Sequence, residues 1–268
     1  MADESDMLVL SRIESGVGYV TLNRPSQLNA FNLKLADQFI SILDSYADDE
    51  AVRAVVINGS GRGFSAGGDV KEMLADVVEG RHRAAFFHEP LAALHKLVGT
   101  VRTIPKPVLA SVHGFVAGFA FNLMLSCDLV IAEERTRFSQ SFANVGLSPD
   151  GGGTYILPRL VGYARACELV MLPTEIDARQ ALQWGLINWI VPKNDLDRET
   201  GALAKRLARG PTLAIGRAKE LMNQAFGIPF ANHLEDERAA QIGNAESRDF
   251  EEGLRAFSAK RKPDFTGS

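Results

Sequence analysis

Two glycine-rich segments lie 50 residues apart in this chain. The first is Gly63-Phe64-Ser65-Ala66-Gly67-Gly68-Asp69-Val70 and the second is His113-Gly114-Phe115-Val116-Ala117-Gly118-Phe119-Ala120. Each follows an apolar run that reads as a buried strand and precedes a helical pattern. A glycine-rich turn between strand and helix leaves backbone N–H groups free at the positive end of the helix. Two such turns can aim two N–H groups at one oxygen, which stabilises an enolate or tetrahedral anion derived from a carbonyl. A third segment, Gly146-Leu147-Ser148-Pro149-Asp150-Gly151-Gly152-Gly153-Thr154, adds one acidic residue. Asp150 can move a proton, or it can cap the helix that opens at the glycines.

Other chemistry is weakly represented. Ser65 has no nearby His/Asp arrangement that would make it a nucleophile. His82, His88, His95 and His233 show no ligand spacing with cysteines or acids, so no metal is expected. His113 ends a buried strand and reads as a hydrogen-bonded core histidine. Cys127 and Cys167, the two cysteines of the chain, sit in apolar settings and read as reduced thiols, which fits a cytoplasmic protein.

The elements that must position these residues follow from periodicity. Met7 to Ile13 and Gly18 to Leu22 form a hairpin around Ser15-Gly16. Leu35, Phe39, Ile42, Leu43 and Tyr46 recur at helical spacing over 33–46, with Asn32 as cap. Ala54-Val55-Val56-Ile57, Pro107 to Val112 and Leu129 to Ala132 are short apolar runs typical of strands buried on both faces. Helices near 85–102 and 118–126 lie between them, and this alternation indicates an α/β architecture. From about residue 160 onward only helical patterns are read: 164–171, 178–184, 195–208, 213–225, 230–244 and 247–259. The reading therefore divides the chain into a core over 1–200 and a helical region over 201–268.

Composition places the chain among ordinary globular proteins: 268 residues, 46% hydrophobic, 23% charged. The net charge of -4 gives no support to a nucleic-acid or anionic-membrane partner. The acidic start, Met1-Ala2-Asp3-Glu4-Ser5-Asp6, has no apolar stretch of a signal peptide, and no run is long enough to span a membrane.

Taken in order and at their spacing, several segments resemble the crotonase, or enoyl-CoA hydratase/isomerase, superfamily. They are Val20-Thr21-Leu22-Asn23-Arg24-Pro25, Leu28-Asn29-Ala30-Phe31, Phe64 through Asp69, Lys106 through Gly114, Cys127 through Ala132, Leu157 through Gly162, Ala181 through Ile187 and Glu252 through Phe257. The resemblance implies a right-handed spiral of ββα units with a helical C-terminal trimerisation region. It implies an acyl-CoA thioester as substrate, with coenzyme A part of that substrate and no separate cofactor, and a homotrimer or dimer of trimers.

By the same resemblance the N–H groups of Gly68 and Phe119 form the oxyanion hole. The stretch Ala66, Gly67, Gly68, Asp69 and Val70 matches the adenine-binding region, and Arg24, Gln27 and Leu28 match the region near the nucleotide and pantetheine. Phe257 and Lys260 resemble residues that reach a neighbouring subunit's coenzyme A. The two glutamates that hydratases of the family place around a water read Asn122 and Phe142 here. Asn122 either hydrogen-bonds substrate or satisfies a backbone group. Phe142 either dries the pocket or simply packs. Asp150 falls where family members that shift double bonds carry a single acidic residue. The expected reaction is double-bond migration, or rearrangement of a ring-epoxide thioester, with Asp150 as acid and base. Hydration, and a catalytically silent acyl-CoA binder, stand as alternatives. The 146–162 stretch together with Lys260 through Gly267 looks most like the phenylacetate-degradation isomerase branch.

Overall fold

The computed structural model describes residues 7–80, 83–172 and 174–268. The acidic N-terminal segment 1–6 and His82 lie outside the described residues. Strand β1 (Val9–Glu14) turns through Ser15 and Gly16 into β2 (Val17–Leu22). Both turn residues have positive φ, 53° and 80°, which matches the twist a two-residue hairpin needs. From β2 the sheet grows by parallel additions: β3 (Ala54–Gly59), β4 (Val108–Val112), β6 (Leu129–Glu133) and β9 (Trp189–Val191). Register is fixed by the pairs Val20–Ile57, Ile57–Ala110, Ala110–Val130 and Ala132–Ile190. A second, three-stranded sheet is built from β5 (Phe115–Ala117), β7 (Arg137–Ser139) and β8 (Ile176–Asp177).

Alternation along β3 explains why its residues are apolar without a break. Val55 and Ile57 face the main core, against helix α1 (Leu33–Asp48), whose Leu35, Phe39 and Leu43 are fully buried. Ala54 and Val56 face the other side, where Leu196, Ala204 and Ala208 of helix α8 (Leu196–Ala208) cover them. Each large side chain so buried contributes about 1.5–3 kcal/mol. The expected α1 cap is present: the Asn32 side chain accepts from Leu35 N–H at 3.0 Å.

Three further helices frame the site: α2 (Val70–Val78), α3 (Arg83–Thr103) and α4 (Phe119–Ser126). Every residue of α4 is buried, so it shows no amphipathic stripe. Helices α5 (Gly153–Val161), α6 (Tyr163–Met171) and α7 (Ala178–Gln183) follow, then α8. The tail is α9 (Thr212–Gln224), α10 (Phe230–Ala245) and α11 (Arg248–Ser258). Helix α9 is fastened by buried Lys219, whose Nζ donates to the carbonyls of Val101 and Lys106 and to Asp128 Oδ2 at 2.8, 3.2 and 2.9 Å. The tail leaves Phe226, Phe230 and Phe257 75–86% exposed.

The expectation of helices alone beyond residue 160 is corrected by β8 and β9. These strands have two and three residues, too short to show a period of two, and they are held by neighbours distant in sequence. No described helix is long and apolar enough to cross a membrane.

Candidate active site

The two glycine-rich loops meet beside the small sheet. Ser65 N–H donates to Phe115 O at 3.2 Å and Ala117 N–H donates to Ser65 O at 3.0 Å, a parallel bridge from the first loop to β5. A second parallel bridge joins Phe31 to Gly68: Phe31 N–H donates to Gly67 O at 2.7 Å and Asp69 N–H donates to Phe31 O at 2.9 Å. In such a bridge Phe31 bonds to the residues on either side of Gly68, so the peptide groups of Gly68 itself point the other way. Its carbonyl takes Val70 N–H at 3.0 Å, and its N–H has no acceptor among the described residues. Phe119 opens α4, where the first N–H groups of a helix are left without intrahelical partners. Its N–H also finds no acceptor among the described residues.

Backbone contact holds these donors side by side. Gly67 has φ of 94°, and a Cβ there would lie 2.7 Å from Ala117 O and 3.3 Å from Phe119 N. Gly118, with φ 52° and ψ −126°, takes a conformation open to glycine alone and passes its N–H to Ser139 O at 3.0 Å. Gly68 and Phe119 both line a cavity of about 390 Å³.

Asp150 lines the same cavity. Its side chain does not cap α5. The residue before that helix is Gly152, and no side chain caps it. The carboxyl oxygen Oδ1 is buried and has no hydrogen-bond partner. Burial raises the pKa of this group from an ordinary 3.8 to about 6, opposed by the charge of His95. Phe119, Phe142 and Leu147 supply apolar wall around it. The other carboxylates on the wall, Asp69 and Glu72, are engaged by Arg24 at 2.8 and 3.5 Å. The arrangement offers two hydrogen-bond donors for a developing oxyanion and one desolvated carboxyl for proton transfer.

Comparison with known proteins agrees with this geometry. The family model described as Enoyl-CoA hydratase/isomerase matches residues 12–268. The chain belongs to the enoyl-CoA hydratase/isomerase family. It is 38% identical to the 1,2-epoxyphenylacetyl-CoA isomerase of Escherichia coli (strain K12), covering 97% of this chain and 98% of the relative. It is 35% identical to the trans-2-decenoyl-[acyl-carrier-protein] isomerase of Streptococcus mutans, with the same coverage of 97% and 98%. A probable enoyl-CoA hydratase of Rhodobacter capsulatus is 38% identical over 95% of this chain and 96% of its own. Among solved structures, a putative enoyl-CoA hydratase from Streptomyces coelicolor A3(2) superposes with a TM-score of 0.92 at 34% identity, covering 100% of this chain and 97% of that one. The crotonase-type fold expected from the sequence is therefore the fold observed.

Within this family frame the remaining predicted residues divide into those on the cavity and those away from it. Ala66, Asp69, Val70 and Phe142 line it. Asp69 also caps α2, accepting from Lys71 and Glu72 N–H groups. Gly67 carries the turn of the first donor loop where it packs against the second. Asn122 does not line the cavity. It is fully buried, donates to the backbone carbonyl of Asp150 at 2.8 Å and accepts from Gln140 at 2.9 Å. Of its two sequence alternatives, the backbone-satisfying one is realised, and it ties the Asp150 loop to α4. Arg24 is likewise off the cavity wall; it binds Ala30 O at 2.8 Å and the two carboxylates at the start of α2. Gln27 is exposed, and Leu28, with φ of 54°, takes Ala66 N–H on its carbonyl. Phe257 and Lys260 are exposed on and after α11, outside the cavity wall.

The sequence reading missed Asn29. This residue, fully buried at φ 53°, directs Nδ2 at the carbonyls of Ser60, Gly63 and Phe64, 2.8–3.1 Å away. Its own carbonyl accepts from Ser65 Oγ at 2.7 Å, and Ser65 Oγ accepts from Gly67 N–H at 3.1 Å. This relay sets the turn that aims Gly68 N–H. The available signal was the residue type, because asparagine tolerates the left-handed region better than most. His113 follows β4 and is half-buried, not a core residue as expected, although its ring does bond Gly61 O at 3.1 Å.

Proposed function

We propose that this family member is an acyl-CoA isomerase. The thioester carbonyl oxygen accepts the N–H groups of Gly68 and Phe119, which acidifies the adjacent carbon. Asp150 removes a proton from the substrate to give an enolate conjugated with the double bond, and returns the proton to another carbon of that system, so the double bond migrates; rearrangement of a ring-epoxide thioester would use the same donors and acid/base. Coenzyme A enters as part of the substrate. The observation that carries this reading is the buried, unpartnered Oδ1 of Asp150 on a wall whose other carboxylates are ion-paired. A pKa of about 6 suits a group that must both take and give a proton near neutrality. Asn122 and Phe142, at the places where the resemblance puts hydratase glutamates, supply no second carboxylate. Two of the relatives are named as isomerases. The exposed Phe226, Phe230 and Phe257 support assembly of the tail into a homotrimer or a dimer of trimers, with Phe257 and Lys260 reaching a neighbour's coenzyme A.

Hydration is the competing reading, favoured by the names of relatives such as the Rhodobacter protein. The test is incubation with 3-enoyl-CoA and, separately, 2-enoyl-CoA in heavy-oxygen water, with mass detection of products. Conversion of the 3-enoyl to the 2-enoyl thioester without label supports the isomerase. Rapid formation of labelled 3-hydroxyacyl-CoA replaces it with a hydratase. Tight thioester binding with no turnover across an acyl-CoA panel identifies a silent binder.

A further inference from the structure

Asp150 stands between two cavities. Besides the one that holds the donor N–H groups, a second of about 460 Å³ lies between α3 and the 147–154 loop. Phe87, Leu91, Leu147 and Asp150 line both, so Asp150 forms part of the partition. The second cavity adds His95 and Thr154, both exposed to solvent, to its wall. The titratable groups on the two walls are Asp69, Glu72, His95 and Asp150, and the first two are held by Arg24. His95 is therefore the titratable side chain on either wall that shares a solvent-facing opening with Asp150.

An acyl thioester seated on Gly68 and Phe119 fills the first cavity and shuts water out on that side. Besides Asp150, the titratable side chains described on the first wall are Asp69 and Glu72, both held by Arg24, whereas the second cavity brings the solvent-facing His95 to the same residue. We infer that the second cavity is a proton-exchange port, in which His95 relays protons between solvent and Asp150 while the substrate is bound. Imidazole gives and takes protons near neutral pH, which suits that position. The step is balanced: a proton taken from substrate carbon onto Asp150 is exchanged for one from water through His95, and the exchanged proton returns to the other carbon. No net proton is consumed. Burial raises the pKa of Asp150, and the charge of His95 opposes that rise.

The inference rests on Asp150 being the acid/base group. The experiment follows isomerisation of a 3-enoyl-CoA in deuterium oxide and counts solvent deuterium gained by the product per turnover. A parallel reaction follows exchange of the α-hydrogens of saturated octanoyl-CoA, which needs enolisation but no migration. The wild type incorporates deuterium in both. In His95→Phe the exchange relative to carbon-to-carbon transfer slows by about a hundredfold, the lower range of what a positioned proton-transfer group supplies. Thr154→Phe narrows the port from the opposite wall while keeping the His95 charge, and gives the same change of ratio. An unchanged ratio in both folded variants overturns the port and leaves the isomerase standing. Absence of both isomerisation and α-exchange in the wild type overturns the Asp150 reading, and the port falls with it.

Discussion

Replacing Asp150 with asparagine separates the energetic burden of the carboxylate from its use. The pKa of this carboxyl is raised by burial from 3.8 to about 6. At 1.36 kcal/mol per unit, ionising it in the folded protein costs about 3 kcal/mol more than in the unfolded chain. The sign follows from the direction of the change. A raised folded pKa means that full stability is present below about pH 4 and is lost as pH rises through about 6. Asn is nearly isosteric and carries no charge, so Asp150→Asn removes this loss. The variant should be more stable than the wild type by about 3 kcal/mol at pH 8 and by about half of that at pH 5. Urea denaturation between pH 5 and 8, at one fixed protein concentration, measures the difference. Isomerase activity should be abolished while coenzyme A thioester affinity is largely kept. Parallel stability profiles for the two proteins, or a variant less stable at pH 8, would refute the burial argument. Near-wild-type turnover would refute the catalytic one.

Four other substitutions probe the frame. Gly67→Ala forces a side chain to φ 94° and against Ala117 O; it should destabilise by about 1–3 kcal/mol and lower kcat about a hundred- to a thousand-fold as the donors separate. Ser65→Ala strips the partner from Gly67 N–H and Asn29 O; a loss of about 1–3 kcal/mol on denaturation, with kcat falling and KM little changed, is expected. Phe142→Ala lets water reach Asp150, so the acidic limb of the kcat/KM profile should move from about 6 towards 3.8, because burial is the first cause of the raised pKa. Lys219→Met leaves Asp128 and the Val101 and Lys106 carbonyls without their cation and should destabilise by about 3–5 kcal/mol in thermal or urea unfolding.

Much of the fold was readable because it is written in local pattern. Asn32 announced α1, and the apolar run 54–57 announced a strand covered on both faces. Helix α3 runs from Arg83 to Thr103, close to the 85–102 expected, with Pro90 inside it. The short strands β5, β7, β8 and β9 were not readable, since each is fixed by pairing with a distant segment. Asp150 shows the limit at the site itself. An aspartate before glycines and a helix looks like a cap, and its failure to cap depends on the αL turn at Gly151-Gly152 and on Asn122 holding its carbonyl. Asn29 acts through hydrogen bonds to residues more than 30 positions away, and in the sequence only its residue type, tolerant of positive φ, marks it.

The wall around Gly68, Phe119 and Asp150 is drawn wholly from residues 31–150, and α9, α10 and α11 contribute none of it. The pocket and the exposed aromatics Phe226 and Phe230 thus lie in separate stretches of one chain. A lineage can redraw the exposed aromatic surface at Phe226 and Phe230 without shifting either backbone donor. Conversely, the cavity wall along α3 or the 142–150 segment can be reshaped while Phe226 and Phe230 stay as they are. The outer face of the tail around Phe226 and Phe230 has room to vary, whereas Gly67, whose Cβ would meet Ala117 O at 2.7 Å, and Gly118, at φ 52°, leave their loops almost none.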